Sequence, residues 1–264
     1  MNSDSIIKIS VSNLSHQFQI GSDSKPLVVL NDINIEISKS TFISIVGESG
    51  CGKSTLLRIM AGLITPSTGI VAYENKKVSG IDPNLGFVFQ QDSVFPWLTV
   101  AQNIEYGLKA RRIARSERKD LVDHWCNLVG LIKFKSAYPK QLSGGMRKRV
   151  DLARVFVNSP SILLMDEPFG ALDVQTKHDM QEVVLDLWSK TKSTIIFVTH
   201  DLEEAVFLSN KVMVMSSRPG KISSSLDINL DYPRIEESRI SDSFHTSKQL
   251  LWAEMKTARL NSGK

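Results

Sequence analysis

The stretch FISIVGESGCGKSTLL, residues 42–57, restricts what this chain can fold into more than any other part of it. A short apolar run leads into a glycine loop that fits G-x-x-x-x-G-K-[ST], and an amphipathic helix pattern follows at once. That strand–loop–helix context is the one in which such a loop grips phosphate. Gly47, Gly50 and Gly52 let the backbone of Glu48, Ser49 and Cys51 wrap closely around an anion. The loop N–H groups and the positive end of the next helix line the concavity. The spacing predicts that Lys53 reaches the β- and γ-phosphates of a nucleotide, and that Ser54, with Thr55 beside it, supplies a hydroxyl to Mg²⁺. Cys51 stands near a helix N-terminus, where a thiol pKa falls, so a reactive thiol shielded by bound nucleotide is expected.

Four more runs have the length and β-branched content of buried strands: GFVF (86–89), SILLM (161–165), TIIFV (194–198) and KVMVM (211–215). Helix patterns alternate with them, in KSTLLRIMAGL, MQEVVLDLWSK and LEEAVFLSN, which predicts an α/β fold with a mostly parallel sheet. Polar groups follow the strands. GFVF leads to Gln90, SILLM to Asp166 and Glu167, and TIIFV through Thr199 to His200. Ligands in open α/β sheets sit beyond the carboxyl ends of the strands, so these groups are expected to gather with the glycine loop at one edge. Asp166 is suited to hold Mg²⁺ and Glu167 to orient or deprotonate an attacking water. Adjacent carboxylates of this kind suit hydrolysis.

Between Gln91 and about Asn158 the strand pattern stops, and a helical subdomain is expected there, inserted into the sheet domain. Its basic residues Lys109, Arg111, Arg112, Arg115, Arg118 and Lys119 read as a solvated helix face. A formal net charge of +4, from 32 basic and 28 acidic side chains, gives no argument for nucleic acid. Cys51 and Cys126 have neither metal-ligand spacing nor a disulfide framework, which suits a reducing compartment. MNSDSIIKIS has no signal-peptide pattern, and no run approaches the ~18 apolar residues of a membrane span. Work at a membrane would therefore need another chain to cross it. After residue 220 a short polar tail, 221–264, is expected.

A second anion-binding element, LSGGM at 142–146, begins a basic helix some twenty residues before ILLMDEP. Together with the loop at 47–55, Gln90, GALD at 170–173 and His200, it makes the chain resemble the ABC ATPases from about residue 7 to residue 220. The resemblance implies a P-loop NTPase (RecA-like) core with N-terminal antiparallel strands and an inserted helical subdomain, the ATPase domain covering 1–220. It implies that Ser143, Gly144 and Gly145 form the signature motif, Gln90 the Q-loop (also a Mg²⁺ contact), Asp173 the D-loop and His200 the switch histidine. Phe18, in NLSHQF, matches the aromatic that stacks on adenine. Met146 stands where the commonest signature has Gln, and the phosphate contacts are expected from Ser143 and the two glycines.

The resemblance further implies a head-to-tail homodimer, with ATP on the loop of one copy covered by the signature of the other. QQDSVFPWLTVAQNIEYGLK (90–109) resembles the groove that receives the coupling helix of a permease, with Phe95, Trp97 and Leu98 as apolar anchors. FPWLTV, LSGGMRKRV and SSRPGKISSSLDINLDYPR together resemble the nitrate/sulfonate/taurine branch of importer ATPases. Such a subunit would sit peripherally on the cytoplasmic face of the cell membrane, with integral-membrane permease subunits and, indirectly, a periplasmic or lipid-anchored solute-binding protein. The competing expectation is a soluble ABC ATPase acting on nucleic acid or ribosomes.

Overall fold

The computed structural model describes residues 7–19, 21, 25–170 and 172–262; the start of MNSDSIIKIS and Ala171 of GALD lie outside them. In chain order the elements begin with β1 (Ile7–Phe18), β2 (Leu27–Ser38), β3 (Phe42–Gly47), α1 (Lys53–Met60), β4 (Thr68–Tyr73), β5 (Lys76–Lys77) and β6 (Leu85–Val88). The helices α2 (Val100–Ala110), α3 (Arg115–Leu128) and α4 (Gly144–Phe156) follow. Then come β7 (Ile162–Asp166), α5 (Val174–Thr191), β8 (Thr194–Thr199), α6 (Leu202–Leu208), β9 (Lys211–Met215), β10 (Ile222–Asp227) and α7 (Asp242–Ser262).

The fold is α/β. One sheet has the order β10-β9-β3-β8-β7-β6, with β9, β3, β8, β7 and β6 parallel and β10 antiparallel at its edge. The second sheet, β2-β1-β4-β5, is antiparallel. Every residue of β3, β7 and β8 is buried, as expected of parallel strands covered on both faces. The two-residue side-chain period divides each strand between two cores. Phe42, Leu163, Met165, Ile195, Phe197, Val212 and Val214 face α4, α5, α6 and α7. Ile43, Ile45, Ile162, Leu164, Ile196, Val198, Met213 and Met215 face α1 and the antiparallel sheet. Full burial of a side chain such as Phe197 stabilises by about 1.5–3 kcal/mol, and it fixes the strand register that sets the carboxyl edge of the sheet.

The stretch 91–158 holds α2, α3 and α4 and no strand. Its arginines are partly engaged: Arg111 donates to the Asn158 and Pro83 carbonyls, and Arg118 to Glu105. Residues 221–262, expected as part of a polar tail, carry β10 and α7. β10 extends the sheet, and α7 inserts Phe244, Leu251 and Ala258 into the core beneath α6. Arg234, 3% exposed, donates to the Val206, Phe207 and Ser209 carbonyls and so caps the C-terminal end of α6.

Candidate active site

The glycine loop sits between β3 and α1 and is held from below by β2. Gly52 has φ +107°, and a Cβ there would lie 2.7 Å from Leu30 Cδ2 and 3.2 Å from the Val29 carbonyl oxygen. Glycine alone meets both demands. Lys53, 4% exposed, donates its amine to the carbonyls of Gly47 (2.8 Å) and Glu48 (3.0 Å), which holds the charge over the loop. Glu48 is itself anchored, accepting from Ser217 Oγ (2.8 Å) and pairing with Arg259 of α7 (3.2 Å). Arg218 donates to the Gly50 carbonyl at 3.0 Å. Nothing in the sequence around Ser217, Arg218 or Arg259 pointed to the loop; their approach depends on the turn after β9 and on α7.

Ser54 Oγ donates to Asp166 Oδ1 at 2.7 Å, joining the loop to the end of β7. Asp166 is 1% exposed and its other oxygen, Oδ2, is buried without a hydrogen-bond partner. Burial pushes this carboxyl above its ordinary range, and the Ser54 bond opposes the shift. An unmatched buried acceptor costs about 1–3 kcal/mol, which a bound cation would recover. A hydroxyl beside a carboxylate is a hard-oxygen set of the kind Mg²⁺ takes, with phosphate and water completing the shell. Among the described residues no group of three or more His, Cys, Asp or Glu has the arrangement of a self-sufficient metal site.

Glu167 follows immediately. Its backbone N–H donates to the Val198 carbonyl at 2.9 Å, and its φ is +43°, a conformation costing about 1–3 kcal/mol in a non-glycine residue. Its Oε2 accepts from Gln90 Nε2 (3.3 Å), and His200 Nδ1 lies 3.1 Å from the same oxygen. The ends of β6, β7 and β8 thus converge on one carboxylate oxygen. The base of His200 is fixed by a network that sequence reading did not anticipate. Thr199 Oγ1 donates to Glu204 Oε2 (2.6 Å) and accepts from the Asp201 N–H (3.0 Å). Lys177 of α5 binds both Asp201 (3.0 Å) and Glu204 (3.2 Å). The cue lay in Asp201, which caps α6 through Glu203 and Glu204 N–H.

Phe18 ends β1, 39% exposed, opposite Leu27 of β2 and edge-on to His16. Val29 and Leu30, the β2 residues against Gly52, lie in the same hairpin, so the aromatic ring stands at the loop end of the antiparallel sheet. Ser143, Gly144, Gly145 and Asp173 form a patch of their own. Ser143 caps α4 by accepting from the Met146 N–H (3.2 Å), and Asp173 caps α5 by accepting from Thr176 N–H (3.0 Å). That backbone N–H holds the Asp173 carboxyl below its ordinary pKa. A Cβ at Gly145 would lie 3.1 Å from the Thr176 methyl, so the two helix starts adjoin. Among the described residues no hydrogen bond or ion pair links Ser143, Gly144 or Gly145 with residues 47–55.

The expected reactive thiol is corrected. Cys51 is 1% exposed and packs under the loop in the core that contains Leu56 and Met215. Burial raises its pKa, against the opposing charge of Lys53. The direction in which the loop turns this side chain outweighs the helix N-terminus beside it.

Comparison with known proteins agrees with this geometry. The family model described as ABC transporter matches residues 30–170. The nitrate import ATP-binding protein NrtD of Synechocystis sp. is 50% identical over 204 residues, 77% of this chain and 77% of that protein. The aliphatic sulfonates import ATP-binding protein SsuB of Bacillus cereus is 42% identical over 238 residues, covering 89% and 91% of the two chains. Among solved structures, a dimeric ATP-binding cassette in a post-hydrolysis state bound to ADP and Pi matches with TM-score 0.75 at 29% identity, over 84% of this chain and 100% of that one. The chain belongs to the ABC transporter family, an ATP-binding and ATP-hydrolysing family.

Proposed function

We propose that this protein is the ATP-hydrolysing subunit of an importer for a small solute, working as a head-to-tail dimer on membrane-embedded permease subunits. The observation that carries the proposal is the separation within one chain of two incomplete halves. Lys53, Ser54, Asp166, Glu167, Gln90 and His200 share one sheet edge, while Ser143, Gly144 and Gly145, at the start of α4, make no hydrogen bond to any of them among the described residues. A second copy would supply the missing half, and the dimeric cassette of similar fold supports that arrangement.

In this reading Phe18 stacks on adenine and the loop from Gly47 to Thr55 cradles the phosphates. Lys53 exchanges the Gly47 and Glu48 carbonyls for phosphate oxygens. Ser54 and Asp166 hold Mg²⁺, with Gln90 near it, and the metal neutralises charge on the phosphates when bound. Glu167 takes the proton of the attacking water through a carboxylate oriented by Gln90 and His200. His200 also faces the γ-phosphate. Ser143 and the Gly144 and Gly145 N–H groups cover that phosphate from the partner copy, with Asp173 lining the junction.

The import role is drawn from the relatives, whose names give nitrate and aliphatic sulfonates as cargo; for this chain the solute class is a small anion. Phe95, Trp97 and Leu98 supply the apolar anchors for a permease, Trp97 being 68% exposed. No helix among the described residues is long and apolar enough to cross a membrane, so the proposal places the chain peripherally on the cytoplasmic membrane face with a permease that spans it. The test is the specific rate of Mg²⁺-dependent ATP hydrolysis as a function of protein concentration. The rate per chain should rise with concentration and then level; a rate independent of concentration in a preparation proven monomeric would overturn the dimeric mechanism. Recovery in detergent with membrane proteins supports import, and salt-sensitive recovery with RNA or DNA instead would reverse it.

A further inference from the structure

One side of α4 carries charged groups in a place where a helix ordinarily packs apolar ones. Lys148 and Asp151 are 3% and 0% exposed. With Arg154 they recur every three residues and meet the strand-to-helix connection 89–95. Lys148 Nζ donates to the Phe89 carbonyl (2.6 Å) and the Gln90 carbonyl (3.4 Å). Asp151 Oδ1 accepts from Ser93 Oγ (2.5 Å) and Arg154 Nη2 (3.0 Å). Arg154 also donates to the Ser93 carbonyl (2.6 Å) and lies over the Phe95 ring, 4.9 Å from its centre. Arg147 pairs with Asp92 at 3.0 Å.

This is an uneconomical way to hold a loop for stability alone. Burying an ammonium costs several kcal/mol before its partners are counted, and well-packed apolar side chains usually do as well or better. The pair is also slack: Lys148 Nζ is 3.6 Å from Asp151 Oδ2, and that oxygen has no hydrogen-bond partner. The amine spends its short contact on the backbone beside Gln90. Gln90 in turn aims its side chain at Glu167 Oε2. The same helix begins with Gly144 and Gly145.

We infer that Lys148 is a positioning residue for hydrolysis, holding the Gln90 backbone to α4 so that the Gln90 amide reaches Glu167 and follows any displacement of the helix that starts at Gly144. This deepens the proposed function and rests on its reading of Gln90 and Glu167. The buried lysine acts through a residue on another element, and its neighbours Asp151 and Arg154 keep the Ser93 end of the same connection in register.

The test is a double-mutant cycle on the full-length protein, measuring kcat for ATP hydrolysis and the Kd for ATP. Lys148→Gln should lower kcat about tenfold while leaving the ATP Kd within about twofold, and Lys148→Arg should recover most of the rate. In a Gln90→Ala background the same Lys148→Gln change should cost less than about twofold, since the residue it acts through is gone. Should Lys148→Gln fold poorly, the charge-balanced Lys148→Gln with Asp151→Asn is carried through the same cycle. An undiminished tenfold loss from Lys148→Gln in the Gln90→Ala background overturns the inference alone. A folded charge-balanced variant with wild-type kcat does so as well. Wild-type hydrolysis by Gln90→Ala overturns the reading of the site, and the inference with it.

Discussion

Replacing Glu167 by glutamine removes a charge and a base and leaves the shape of the side chain. In the native site Oε2 lies 3.3 Å from Gln90 Nε2 and 3.1 Å from His200 Nδ1, and a glutamine oxygen can occupy the same place. Lys53, Ser54 and Asp166, the groups proposed to hold the phosphates and Mg²⁺, make none of their hydrogen bonds to Glu167. The ATP Kd should therefore stay within about threefold of wild type, since ground-state contacts are retained. Loss of the base should cost about 10²–10⁴ in the hydrolytic rate. That range is about 3–5.5 kcal/mol of barrier at ~1.4 kcal/mol per decade. Single-turnover hydrolysis of ATP separates the chemical step from product release, and size-exclusion chromatography with MgATP reports association. The variant should elute as a long-lived dimer. A single-turnover rate within about threefold of wild type would remove Glu167 from the proposed role, because no general base gives so little.

Other expectations follow from single positions. Gly52→Ala should destabilise the fold by about 2–4 kcal/mol, combining a left-handed φ with a Cβ 2.7 Å from Leu30, and a lowered thermal midpoint with lost ATP binding checks it. Native Cys51 and Cys126 should resist alkylation near neutral pH, because burial raises both thiols, that of Cys126 to about 11; rapid labelling before denaturation would contradict their placement. Asp166 titrates above the ordinary carboxylate range, so the folded chain takes up its proton at higher pH than the unfolded one, and this group favours folding as pH falls. Bound Mg²⁺ requires the ionised form. The thermal stabilisation by MgATP should thus be larger at about pH 7.5 than at about pH 5, and Asp166→Asn should flatten the difference.

The gathering of Gln90, Asp166, Glu167 and His200 at one sheet edge was legible in the chain because each follows an apolar run: Asp166 and Glu167 after SILLM, His200 after TIIFV, Gln90 after GFVF. Two-faced burial makes such strands continuous in hydrophobicity, and their ends mark the ligand edge. β10 escaped notice for the opposite reason. Its side chains alternate between half-buried and exposed, three of its six residues are serines, and no apolar run announces it. In α7 the buried Phe244, Leu251 and Ala258 are each seven residues apart, too sparse for a helix pattern to stand out. The grips on His200 and Gln90 join residues distant in sequence, Lys177 to Glu204 and Lys148 to Phe89, and only the folded chain brings them together. The Cys51 expectation failed because local sequence reports the nearby helix end and is silent on which way the loop turns its thiol.

The central claim is that each nucleotide is gripped by two chains, and mixing two disabled variants tests it most directly. Lys53→Ala removes the loop amine and keeps the second half. Gly144→Glu places a carboxylate in that second half and should leave the fold intact, since a Cβ at Gly144 meets nothing closer than Arg147 Nη2 at 3.7 Å. Each alone should be inactive. Mixed, they should form dimers holding one intact site, and ATP hydrolysis should return to a substantial fraction of the wild-type rate. A mixture as inactive as its parts, although the two variants are proven to associate, would contradict the shared site.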